Sequence, residues 1–263
     1  MDSIADYQFV RLIGEANYGD FYLAKTPSRL PIDDELVVVK VATALASDDA
    51  FRRATRELRH FALVRSPKLV TIFDAGRQGS TFYYAMEYLP LGSLGRPARP
   101  LTREETLRAV ADAADAAHSL HENGIAHRDI KPANILLHDQ GAKLSDLGLS
   151  QLLSPGLVMT GLGSIGIEFT DPAILMGGEA SRATDVWALG AVLHRALTGF
   201  SLYSELPTRE PLLLVRAVLA SPPAPHSSLT TREADVVRAC IARDPADRPG
   251  TAGEVAELVR ALA

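Results

Sequence analysis

Strand-type sequence in this chain gathers before residue 91 and helix-type sequence after it, and that segregation limits the fold more than any other feature. "YQFVRLIG" (residues 7–14) alternates apolar and polar side chains, and "DFYLAKT" (20–26) follows it. "ELVVVKVA" (35–42) is a β-branched run suited to a buried strand. "LVTIFDAGRQGSTFYYAMEYL" (69–89) reads as two strands around a Gly-Ser turn. One helix is expected among these strands. Ser47, Asp48 and Asp49 make its start, Phe51, Ala54, Leu58 and Phe61 its apolar stripe, and Pro67 closes it.

Beyond Leu91, "LGSLGRPARP" reads as a Gly/Pro connector, and helix signals follow. Thr102 and Glu105 form a capping box ahead of Leu107, Val110, Ala114 and Ala117, and similar starts stand at Thr230 with Glu233 and Thr251 with Glu254. Residues 185–198 make an apolar helix ended by Gly199. No internal repeat is visible. The expectation is an α+β chain: a small β-rich lobe, a short hinge and a larger helical lobe.

At 263 residues, one large domain or two packed lobes is expected. The net charge of -5 gives no global electrostatic reason to bind nucleic acid or an anionic membrane. No run of about 18 apolar residues would span a bilayer, and the acidic N-terminus lacks a signal core. Cys240 is the only cysteine, so no disulfide forms within the chain and a cytoplasmic setting is expected. Its apolar helical surroundings mark it as a small buried hydrophobe.

The chemistry gathers in "HRDIKPANIL" (127–136) and "LSDLG" (144–148). A carboxylate and an amide five residues apart on a tight loop can orient a hydroxyl and hold a metal, and a second aspartate on a later turn could complete a magnesium site. With "GEANYGDFYLA" (14–24) and "VVVK" (37–40), these motifs fall in an order and spacing that resembles the protein kinase superfamily. The likeness is to its serine/threonine branch and to bacterial kinases of the eukaryotic-like type, and it runs from about Tyr7 to Leu262.

The resemblance implies a bilobal protein-kinase-like fold, with residues 7–89 as the small lobe and 90–263 as the helical lobe. It also implies ATP between the lobes, Mg2+, and transfer of the γ-phosphoryl group to Ser or Thr of a protein acceptor, without nucleic acid or membrane as partner. No feature of the sequence speaks to oligomeric state. Asp129 would be the base that orients the acceptor hydroxyl, Lys131 would neutralise the transferred phosphoryl, and Asn134 and Asp146 would hold Mg2+. Lys40 would grip the α- and β-phosphates, with Glu57 on the helix as its partner. Ile13, Gly14, Glu15, Ala16, Gly19, Phe21, Val38, Met86, Glu87, Leu89 and Leu136 would line the nucleotide. Of these, Met86 is the gatekeeper match, and the backbone of Glu87 and Leu89 would meet the adenine edge. His118 and His121 lie one helical turn apart without a third ligand, so packing is expected there rather than a metal. His127 with Phe61, Ile72 and Leu147 fits a structural spine anchored near Asp185.

Four departures from the family pattern stand out. Ala16 replaces a loop glycine that could adopt φ > 0 and approach phosphate closely. Phe21 and Val38 are larger than the usual residues beside adenine, which predicts a narrowed pocket and weakened ATP affinity. "DPA" (171–173) ends in Ala173 where the family has a glutamate that pairs with a buried arginine, here Arg248; Asp171 or Glu168 is the expected substitute. "GSIGIEF" (163–169) carries an insertion or a shift, leaving Ser164 as a match to the substrate-positioning threonine. "DLG" for "DFG" keeps Asp146. Ser150, Ser154, Thr160 and Ser164 are candidate autophosphorylation sites, Thr160 first, because Arg128 precedes the catalytic aspartate. Two other readings are weighed: a pseudokinase scaffold, favoured by Ala16, Phe21, Val38 and Ala173, and a small-molecule kinase of the aminoglycoside or choline type. The five retained residues Lys40, Glu57, Asp129, Asn134 and Asp146 oppose the first. The long activation segment opposes the second.

Overall fold

In the computed structural model, which describes residues 1–16, 19–42, 48–146, 164–203, 206 and 210–263, the strand-type sequences form one antiparallel sheet. Its strands are β1 (Ser3–Ile4), β2 (Tyr7–Ala16), β3 (Gly19–Lys25), β4 (Leu36–Ala42), β5 (Ile72–Gln78) and β6 (Thr81–Glu87), in the order β1-β2-β3-β4-β6-β5. The two-residue period of β4 sorts its side chains. Val37, Val39 and Val41 join Ile4, Tyr7, Ala24, Tyr83 and Ala85 in a buried cluster, against which Phe9 and Tyr22 stack at 4.1 Å. The intervening residues, Val38 and Lys40, point to the other face. Helix α1 (Asp48–Leu63) buries Ala54, Leu58 and Phe61, the stripe expected from the sequence, and Phe51 meets Phe82 edge to face at 5.8 Å.

The described residues divide into two compact units. The first holds described residues within 1–63 and 70–88, and the second those within 64–69, 89–146 and 164–263. Residues 64–69 belong with the second unit for a physical reason. Leu69 bridges Leu144, the Leu144 amide donates to the Lys68 carbonyl at 2.8 Å, and Lys68 pairs with buried Asp112 at 2.6 Å.

The second unit is helical around a small sheet. Its elements are β7 (Gly92–Ser93), β8 (Arg96–Pro97), α2 (Arg103–His121), β9 (Ile135–His138), β10 (Gly141–Leu144), α3 (Ser164–Ile167), α4 (Pro172–Leu175), α5 (Arg182–Thr198), α6 (Pro211–Ala220), α7 (Thr231–Cys240) and α8 (Ala252–Arg260). The connector read from "LGSLGRPARP" holds the β7–β8 hairpin, which joins β9 and β10 in a sheet ordered β10-β9-β7-β8. Strands of two to four residues leave no periodicity to read, and their pairing is set by contacts distant in sequence. The boxes at Thr102 and Thr230 cap α2 and α7 as expected. At α8, Thr251 accepts from the Glu254 amide, but the Glu254 carboxylate turns one residue upstream to the Gly250 amide at 2.9 Å. Helix α5 ends at Gly199 in the left-handed region (φ 75°), as expected.

Candidate active site

The catalytic loop hangs on one buried carboxylate. Asp185, in the first turn of α5, is 2% exposed. It accepts from the His127 amide at 2.7 Å and the Arg128 amide at 2.9 Å, and it contacts His121 Nε2 at 2.8 Å. His121 thus spends its Nε2 on the Asp185 carboxylate. Holding both amides forces the backbone to turn sharply, and Arg128 sits at φ 73°. His127 is fully buried, its Nδ1 accepting from the Asp129 amide at 3.3 Å and its Nε2 lying 3.1 Å from the Ser145 carbonyl. Those contacts require a neutral ring with hydrogen on Nε2. Burial pushes its pKa down in the same sense.

The next residues follow from this frame. Asn134 Nδ2 donates to the Asp129 carbonyl at 2.8 Å and to Asp129 Oδ2 at 3.1 Å, and Lys131 Nζ meets the same Oδ2 at 2.8 Å. Ser145 ties the loop to the Asp146 turn, donating its amide to the Asn134 carbonyl at 2.8 Å and its hydroxyl at 3.1 Å. Asp146 follows at φ 59°. With Nδ2 spent on Asp129, Asn134 Oδ1 accepts no hydrogen bond among the described residues. Asn134 and Asp146 therefore present oxygen donors, the chemistry a hard divalent cation takes. Leu136 lies half-buried in β9 opposite Ser93 and Lys143.

In the first unit, Lys40 is 8% exposed on β4, with Phe21 opposite it on β3 and Tyr84 opposite it on β6. Its ammonium lies 4.9 Å from the Phe21 ring centroid and 6.0 Å from that of Tyr84. Glu57, half-buried on α1, makes no ion pair among the described residues, so the expected Lys40–Glu57 contact is not formed here. Val38 and Met86 are buried cross-strand partners. The Glu87 amide donates to the Thr71 carbonyl at 3.0 Å. The Leu89 amide makes no hydrogen bond among the described residues. Ile13, Gly14 and Glu15 run along β2 with Gly14 opposite Phe21.

Residues 7–259 match the family model described as protein kinase domain. The chain belongs to the protein kinase family. It is 35% identical over 265 residues to the serine/threonine-protein kinase PknK of Mycobacterium tuberculosis, covering 97% of this chain and 23% of that protein. It is 32% identical over 269 residues to PknB of the same organism, covering 97% of this chain and 42% of PknB. PrkC of Bacillus subtilis is 32% identical over 199 residues, 73% of this chain and 30% of PrkC. The chain thus spans less than half the length of each of these relatives. The crystal structure of the Mycobacterium tuberculosis PknI kinase domain shares the fold, with a TM-score of 0.72, 23% identity and coverage of 99% of this chain and 98% of that one.

The departures from the kinase pattern resolve differently in the structure. Arg248 loses the family glutamate to Ala173 and finds Asp171 instead, Nη1 to Oδ2 at 2.5 Å, with both side chains 2% exposed. The other Asp171 oxygen caps α4 by accepting from the Ala173 amide at 2.9 Å. Arg248 also donates to the Ala242 and Ala183 carbonyls, each at 2.8 Å. Glu168, the other candidate, lies 3.5 Å from Arg195. Ala16 ends β2 opposite Gly19 and has no positive φ, so its backbone does not need glycine. Gly19 does: it has φ 141°, and a Cβ there would land on the Val41 carbonyl oxygen. Phe21 stands opposite Lys40, and Val38 stands opposite Leu23 and Met86. Leu147, Ser150, Ser154 and Thr160 lie outside the described residues, as does the Ser164 side chain.

Proposed function

We propose that this kinase domain transfers the γ-phosphoryl group of ATP to serine or threonine hydroxyls of a protein acceptor. The observation that carries the reading is the Asp129 carboxylate held by Lys131 and Asn134 on a loop whose backbone is fixed by Asp185. The acceptor oxygen attacks the γ-phosphorus while the bond to the β,γ-bridging oxygen breaks, ADP departs, and the hydroxyl proton passes to Asp129. Lys131, 2.8 Å from Asp129, would meet charge on the phosphoryl oxygens. Lys40 would hold the α- and β-phosphates, and the Leu89 amide would meet the adenine edge.

Asn134 Oδ1 and Asp146 would hold Mg2+, which would neutralise charge on the phosphates. Two protein oxygens suffice for such an ion. The Arg128 guanidinium makes no ion pair among the described residues, which supports autophosphorylation in the segment from Asp146 to Pro172, Thr160 first, as the switch. The reading carries a cytoplasmic setting, where Cys240, its thiol pushed up to about 12 by burial, is inert packing.

The test is transfer of radiolabel from ATP to a generic acceptor protein, wild type beside Asp129→Asn. Wild-type labelling that falls at least about a hundredfold in the variant is expected. Equal labelling of the two would overturn the reading.

A further inference from the structure

We infer that Phe21 is a positioning residue for Lys40, its ring holding the ammonium from the neighbouring strand. The inference rests on the kinase reading and names the group that controls its phosphate-binding lysine. Register places the ring. Residues directly opposite one another on antiparallel strands share a face, so Phe21, Lys40 and Tyr84 form one row across β3, β4 and β6. The ammonium lies 4.9 Å from the Phe21 centroid, inside the range where the negative face of a ring attracts a cation, and the Tyr84 ring lies at 6.0 Å on its other flank. Lys40 is nearly buried, which strengthens the attraction by removing competing water.

Glu57 makes no ion pair among the described residues, so α1 does not set the lysine in this conformation. A ring on a hydrogen-bonded strand is held by the sheet, whereas a glutamate on a helix moves with the helix. The larger side chain at position 21 is therefore a gain in lysine order, and not only a loss of room beside the base.

The experiment reads Lys40 directly, without nucleotide. In protein carrying 13C-labelled lysine, the Lys40 Cε methylene protons, assigned with Lys40→Met, are expected upfield of the other lysines because the Phe21 ring current shields them. Phe21→Leu returns them to the ordinary lysine position, and Phe21→Tyr keeps them upfield. Turnover follows the same order, falling roughly fivefold in Phe21→Leu, the middle of the range for a cation–π contact, and recovering in Phe21→Tyr. An unshifted Lys40 in active wild-type protein, or a shift that survives Phe21→Leu, overturns the inference alone. Wild-type protein that transfers no phosphate overturns the kinase reading itself.

Discussion

The catalytic loop and the lysine strand are built from opposite materials. Around Asp129 the second unit uses buried polar groups, each carrying two or three hydrogen bonds: Asp185 on two amides and a histidine, Asp171 on an arginine and a helix end. Around Lys40 the first unit uses strand register and aromatic faces. Buried polar frames specify one geometry and fail steeply when a member is removed, because the partners are left in a medium that cannot solvate them. Apolar frames weaken in proportion to the surface uncovered. The two regions should therefore answer mutation on different scales.

Asp185→Ala is the largest expected break. It strands two backbone amides and His121 at a site closed to water, and about 5 kcal/mol of stability should go with those charge-assisted bonds. Urea unfolding measures it, and a loss below about 1 kcal/mol would contradict the Asp185 frame. Asp171→Ala comes next. It leaves Arg248 buried against two carbonyls without a counter-charge, at about 4 kcal/mol. Asp171→Glu, placed where it can rebuild the pair but not the cap, should recover part of that loss. The alternative that Glu168 supports Arg248 predicts instead that Glu168→Gln is as damaging as Asp171→Ala.

Most of the polar frame can be read in the sequence, because its members lie in short motifs whose spacing fixes their roles: Asp129, Lys131 and Asn134 within six residues, and Asp146 shortly after. The capping boxes at Thr102 and Thr230 are legible for the same reason, both partners being three residues apart. Asp171 could be narrowed only to a choice of two, since the pair spans 77 residues and local spacing says nothing of it. The first unit hides its decisive facts in register. Which residue faces Phe21 depends on how β3 lies against β4, and a shift of one residue would turn the ring to the other side. The sequence likewise marked Ala16 as the position where backbone freedom is lost, while the strand puts that demand on Gly19.

Acid should separate the two regions next. His194 in α5 is fully buried and its Nε2 accepts from the His226 amide at 2.9 Å, which assigns its hydrogen to Nδ1. Burial, with His226 and Arg195 nearby, lowers its pKa from 6.5 to about 4. The unfolded chain takes up this proton near pH 6.5 and the folded chain only near pH 4, so the unfolded state binds more protons between those values. Stability is therefore full above about pH 6.5 and is lost as pH falls toward 4, by about 3 kcal/mol at most. Melts at pH 7.0, 5.5 and 4.5 check this, and His194→Gln should flatten the curve. An equally steep fall in that variant would assign the acid sensitivity to other groups.

The smallest effects test the nucleotide loop, where sequence and structure point to different glycines. Gly19→Ala forces a side chain into a φ of 141° and onto the Val41 carbonyl, at about 2 kcal/mol of strain. It should lower the melting temperature and weaken ATP binding, since β3 must shift away from β4. Ala16→Gly restores the family residue at a position in extended backbone paired with Gly19. It relieves no strain there and adds chain entropy to the unfolded state, so it should cost about 0.5 kcal/mol and leave ATP affinity within about twofold. A tenfold gain in affinity from Ala16→Gly would mean that the loop demands left-handed backbone at position 16 when nucleotide is bound. The strand conformation would then describe only one of its states.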